Sequence, residues 1–201
     1  MTNRPVVQPV TWVTWGGAEF SVWSNLPLAQ TADGVRPQVV EFELVREHRW
    51  GRLTVAPAVQ MFFYHDVARR ERDRSVEGWL YLSYDVRPFS VFANHSLDVL
   101  NYRDAYFVDF GLESEHHVAQ PLAIGGLVGA GWGSAHFNLA YADVARRALD
   151  RVTAEAWLTA SVHRFYIGPH LEFSTIVDRA VRARLLRPTY VLVRLTMGGE
   201  F

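Results

Sequence analysis

The sequence predicts an α+β fold. An antiparallel β-rich N-terminal half, a sandwich or barrel-like sheet, is followed by two helices and a C-terminal strand returning to the sheet. Three observations predict it. Apolar residues recur with period 2 up to about Phe110; they recur at spacings of three and four beyond Gly133; and a short apolar run closes the chain.

The β-rich part covers 1–124. Val40, Phe42 and Leu44 alternate with Glu41 and Glu43, and Leu80, Leu82, Tyr84 and Val86 alternate with Tyr81, Ser83 and Asp85. Tyr106, Val108 and Phe110 repeat the pattern around Asp109. Further strands are expected at Thr11–Trp15, Glu19–Trp23, Arg52–Val55, Val59–Tyr64 and Phe89–Phe92. Ala32-Asp33-Gly34, Arg87-Pro88 and Asn94-His95-Ser96 carry turn chemistry between them.

A glycine-rich junction, 125–133, leads into a helical segment over 138–186. Asn138 to about Tyr166 lacks Pro and Gly, and Ala145, Leu149, Val152, Ala156 and Ala160 fall on one helical stripe. Gly168-Pro169 ends it. A second helix is expected after the capping-box spacing of Thr175 and Asp178, stopped by Pro188. Residues 189–197 then form the final strand, and 1–201 reads as a single globular domain.

Composition narrows the chemistry. With no Cys, disulfides, thiolate metal sites and Cys nucleophiles are excluded. All 20 basic residues are Arg, so Schiff-base and Lys general-base mechanisms are excluded too. A formal charge of −1 argues against a dedicated nucleic-acid binder. Nucleic-acid contact could come only through Arg179 and Arg182, or through the run from Arg69 to Arg74. Met1 to Val10 resembles no signal peptide, and no stretch reads as a transmembrane helix. The expectation is a cytoplasmic protein, or part of a particle assembled there, with no membrane partner.

Candidate sites are few. Glu113, Glu115, His116 and His117 gather carboxylates and imidazoles for acid/base work, with His65 beside Asp66 as a further base. In a strand His116 and His117 point to opposite faces. Gly129, Gly131, Gly133 and Ser134 precede a helix and could offer backbone N–H groups to an anion. Trp12 and Trp15 could wall a ligand cavity. The glycine run fits neither the phosphate-binding P-loop, which needs a Lys, nor the dinucleotide fingerprint. No G-x-S-x-G elbow occurs. No cofactor and no metal is expected.

Two functions follow. One is a non-catalytic structural or assembly subunit of a viral, phage or multiprotein particle, partnered by other protein subunits; the wealth of aromatics and Arg suits an interface. The alternative is a small-molecule-binding protein or enzyme using the Glu/His cluster near 113–117 beside the glycine-rich loop.

Overall fold

A computed structural model describes residues 6–27, 38–64 and 74–199. It is mostly antiparallel β-sheet with two short helices. The strands are β1 (Val6–Val7), β2 (Val10–Trp15), β3 (Ala18–Pro27), β4 (Val39–Arg46), β5 (His48–Trp50), β6 (Leu53–Tyr64) and β7 (Arg74–Val86). They continue as β8 (Phe89–Asp98), β9 (Tyr106–Ala119), β10 (Leu122–Gly133), β11 (Ala148–Val162), β12 (Phe165–Ile176) and β13 (Thr189–Gly199). The helices are α1 (Ala135–Ala142) and α2 (Arg179–Arg184).

All strands join one sheet in the order β1-β3-β4-β6-β7-β8-β9-β10-β11-β12-β13. β2 also pairs with β3, and β5 continues β4 along β6. The ladder is an up-and-down meander, because each long strand pairs antiparallel with the next long strand in the chain. It is an open sheet, with β1 and β2 at one edge and β13 at the other.

The connections differ at the two ends. At one end the turns are two residues long: 16–17, 51–52, 87–88, 120–121 and 163–164. Gly16 and Gly17 both take positive φ, 59° and 77°, the backbone that a two-residue hairpin demands. At the other end the connections span 28–38, 65–73, 99–105, 134–147 and 177–188. We call these the turn end and the loop end.

The helical segment expected over 138–186 is corrected. Residues 148–162 and 165–176 are long strands, joined at His163-Arg164. Helix is confined to α1, which Ser134 caps by accepting from Phe137 N, and to α2, which Asp178 rather than Thr175 caps. The junction 125–133 is likewise strand β10, paired on both sides. Asn94-His95-Ser96 is not a turn but the interior of β8. Arg52–Val55 and Val59–Tyr64 belong to one strand, β6. Ala32-Asp33-Gly34 lies outside the described residues. Tertiary pairing overrides the helix propensity of the Ala-rich segment: a strand flanked on both edges satisfies its backbone groups as fully as a helix does. The predicted final strand is present as β13.

Packing inverts the usual arrangement. Among the described residues, the buried apolar side chains are mostly alanines, such as Ala56, Ala58 and Ala123, and the most deeply buried are Asn138, Ser75 and Ser174. Most large apolar residues are exposed, Trp15 at 85% and Val193 at 73%, whereas Phe92 and Phe107 are buried. The chain presents 13644 Å² of accessible surface, where a folded soluble monomer of 22.9 kDa would present about 9,600 Å². No helix among the described residues is long and apolar enough to cross a membrane.

Candidate functional site

Register assigns every strand residue to one of two faces, because cross-strand partners share a side. One face carries Phe42 and Leu44 of β4, Val59 and Met61 of β6, and Leu80 and Leu82 of β7. It continues through Val91, Phe110, Val128 and Leu158 to Leu171 and Val193. Among the described strand residues, the only charged side chains on this face are Arg46 and Arg74, each at a strand end. Aromatic residues gather near its two rims: Trp15, Trp50 and Phe165 at the turn end, Phe63, Tyr106 and Trp132 at the loop end.

The opposite face is polar. Glu41, Glu43, Gln60, Glu77 and Tyr81 occupy it on β4, β6 and β7. Asp109, Glu113 and Glu115 follow on β9, then Arg151, Glu155 and Trp157 on β11, His170 and Glu172 on β12, and Arg194 on β13. Its side chains reach over intervening strands. Arg151 on β11 forks onto Asp109 on β9, with Nε and Nη2 donating at 3.2 and 2.6 Å. Trp157 Nε1 donates to Glu115 Oε2 at 2.7 Å across β10. Tyr81 on β7 donates to Glu43 Oε1 on β4 at 2.9 Å, and Gln60 between them donates to both. Such reach marks the polar face as the concave one, and its side chains are less exposed than their apolar neighbours on the same strands.

β10 makes this reach possible. Its inward positions include Gly125, Gly129, Gly131 and Gly133. A Cβ on Gly125 would fall on the Trp157 indole, and one on Gly131 would meet Phe107 at 2.5 Å. The glycines are therefore seats for rings and for the aliphatic stem of Arg151, and no loop of free N–H groups exists there. Ser134, just beyond, accepts from Phe137 N at 3.2 Å and Tyr106 N at 3.1 Å as the cap of α1.

The predicted Glu/His cluster is divided. Glu113 and Glu115 lie on the polar face, and His117 pairs with Ala123 at the turn end. His116 lies on the apolar face, its Nε2 2.8 Å from Ser114 Oγ. Trp12 is on the polar face opposite Ser21, whereas Trp15 is on the apolar face. His65 and residues 69–72 lie outside the described residues, and Arg74 opens β7. Arg182 on α2 donates to Thr175 Oγ1 and the Ile176 carbonyl, so it caps its own connection.

Of the residues that gather beside Glu113, Glu155, Trp157, Tyr166 and His170 come from the span expected to be helical, and Arg194 and Thr196 from the expected final strand. Glu155 Oε2 is 2.8 Å from His170 Nε2 and 3.8 Å from Arg194 Nη2. The Trp157 and His170 rings stack, with centroids 5.8 Å apart and planes at 15°. Strict alternation of Arg151, Thr153, Glu155 and Trp157 with Val152, Ala154, Ala156 and Leu158 was the available signal. Two cavities open here. One of about 380 Å³ is bounded by Glu113, Glu155, Trp157, Tyr166, His170 and Thr196. The other, about 420 Å³, is bounded by Asp85, Arg87, Ser90, Glu113, Glu115 and Trp157. No three His, Asp or Glu among the described residues stand where they could hold a metal ion.

No known protein family matches the sequence, and no curated protein is similar to it.

Proposed function

We propose that this chain is the wall of a membrane-embedded β-barrel, with its apolar face in lipid hydrocarbon and its polar face lining an aqueous lumen that passes or binds small polar solutes. One observation carries the reading: an almost uncharged, exposed apolar face spans the sheet while the opposite, concave face holds the carboxylates, Arg residues and hydrogen-bonded networks. In water that arrangement exposes what folding ordinarily buries. In a bilayer it is the stable one, because apolar side chains meet lipid and polar ones meet the lumen.

The dimensions support it. The 12 residues of β6 extend ~41 Å at ~3.4 Å per residue, and a ~45° tilt reduces that to ~29 Å, close to the apolar thickness of a bilayer. Aromatic residues at both rims suit the two interfaces, where ring and water meet. Tight turns at one end and longer connections at the other match the asymmetry of such barrels. The reading has a structural consequence. Edges β2 and β13 must find ladder partners in the membrane, since each unpaired backbone group in hydrocarbon costs several kcal/mol.

This proposal departs from the cytoplasmic expectation. The assembly-subunit reading would cover the same apolar face with protein. The two aromatic rims and the band height favour lipid. Brominated-lipid quenching tests it. The chain is refolded into vesicles whose acyl chains carry bromine, and single-Trp variants are compared. Trp132 is expected to be quenched strongly and Trp157 weakly. Equal quenching of both, or none, would overturn the proposal.

A further inference from the structure

We propose that the concave face holds a binding site for an organic polycation, a diammonium or polyammonium solute, in the two cavities that meet at Glu113 and Trp157. The inference rests on the reading that this face is wet. Glu113 and Trp157 bound both cavities, so the two volumes adjoin at these side chains.

Their walls suit organic cations in three respects. First, the charge is right. Among the residues that bound either cavity, Arg87 is the only guanidinium, against Asp85, Glu113, Glu115 and Glu155. Three of those carboxylates already have partners. Asp85 accepts from Arg49 at 2.9 Å, Glu115 accepts from the Trp157 indole, and Glu155 has His170 and Arg194 beside it. Glu113 differs: it has no hydrogen bond or ion pair among the described residues, and it shares the lining of one cavity with the carboxylates Asp85 and Glu115, which repel it. An ammonium ion beside Glu113 would relieve that repulsion.

Second, the two cavities share a fixed aromatic wall. Trp157 is held by its N–H to Glu115, by the stacked His170 ring and by its seat over Gly125. A ring immobilised before binding loses little entropy on binding, and its face attracts cations. Third, the carboxylates are dispersed over the two cavities and not focused on one point. No metal-holding group occurs among the described residues. Separated negative charges linked by an aromatic and aliphatic wall, Trp157 and Leu127, match two ammonium groups separated by methylenes. Cavities of about 380 and 420 Å³ are within the range of small-molecule sites.

The test uses the full chain refolded in detergent, with spermidine as the probe and titration calorimetry as the readout. Sodium chloride at matched ionic strength and glutamate serve as controls. Saturable binding of spermidine, absent for glutamate, is expected. The substitution Glu113→Gln should weaken it about tenfold, since a hydrogen-bonded charge is exchanged for a neutral amide. Glu113 has no hydrogen bond among those of the described fold, so the variant should keep its far-UV circular dichroism. Glu172→Gln, on the same face but outside both cavities, should bind as the parent does. Absence of saturable binding, equal loss in both variants, or competition by sodium at matched strength would overturn the site. If spermidine binds as expected while Trp132 escapes quenching by brominated lipid, the membrane reading fails and the site stands. The converse result leaves the membrane reading in place and removes the site.

Discussion

The substitution Val128→Arg distinguishes a lipid-facing surface from a water-facing one. Val128 is on the apolar face of β10, 56% exposed and paired with Leu112 and Ala154. It lies six residues along a strand that starts at Leu122, so it stands ~20 Å along the strand and, at ~45° tilt, ~14 Å above the turn-end rim. That is the middle of the apolar layer. An arginine at the midplane of a barrel wall costs ~2–4 kcal/mol, which lowers the ratio of folded to unfolded protein roughly 30- to 700-fold. Val162 is the internal control. It is 59% exposed on the same face but ends β11 at the turn-end rim, where the same arginine should cost at most ~1 kcal/mol. Urea unfolding of both variants in lipid vesicles, followed by tryptophan fluorescence, measures the difference. If the two variants unfold at the same urea concentration, or if Val128→Arg yields soluble monomer without lipid, the apolar face is not a lipid surface.

Three further outcomes concern the polar face and its loop end. Gly125→Ala sets a Cβ onto the Trp157 ring, and should destabilise by ~1–3 kcal/mol while shifting the Trp157 emission; a full rescue by Trp157→Ala would locate the clash. Asn138, 1% exposed, donates to the Arg146 carbonyl at 2.9 Å and to Asp150 Oδ1 at 3.0 Å. Asn138→Ala strands both acceptors and should lower stability by ~2–3 kcal/mol in thermal unfolding. Arg151→Met removes the fork onto Asp109, a pair whose side chains are 38% and 24% exposed. Solvent screens it, so the loss should be only ~1 kcal/mol and should shrink further in high salt.

How much was legible in the sequence depends on what each pattern can discriminate. The strands up to Phe110 were readable because charged and apolar residues alternate one by one, as in Val40 to Leu44. The segment after Ala145 reads as helix although it is strand, because Val152, Ala156 and Ala160 are four apart, and a spacing of four stays on one side of a helix and of a strand alike. The residues between them decided the matter. Ala154 and Leu158 share their face, while Thr153, Glu155 and Trp157 take the other. With that segment read as helix, Glu155, Trp157, His170 and Arg194 could not be placed beside Glu113. The division of His116 from Glu113 and Glu115 was visible in advance, since it follows from alternation alone.

Alternation has a deeper ambiguity, and it bears on function more than any boundary does. A period of 2 says that one face is apolar; it does not say whether that face meets a protein core or lipid. The polar face bears on the lipid reading proposed above. In a water-soluble sheet it would be the convex, solvated side, with long side chains spread into solvent and no need for small residues. Here it is the crowded side. Ala56 and Ala58 are buried on it, glycines recur through β10, and the Trp157 ring and the Arg151 side chain fold over those glycines to reach partners two strands away. Small residues and cross-strand ion pairs on the polar side are what curvature toward that side requires. A sheet concave toward its charges turns its leucines, valines and phenylalanines outward, so the glycines of β10 are the feature of the sequence from which the direction of curvature, the premise of the proposed lipid contact, can be reasoned.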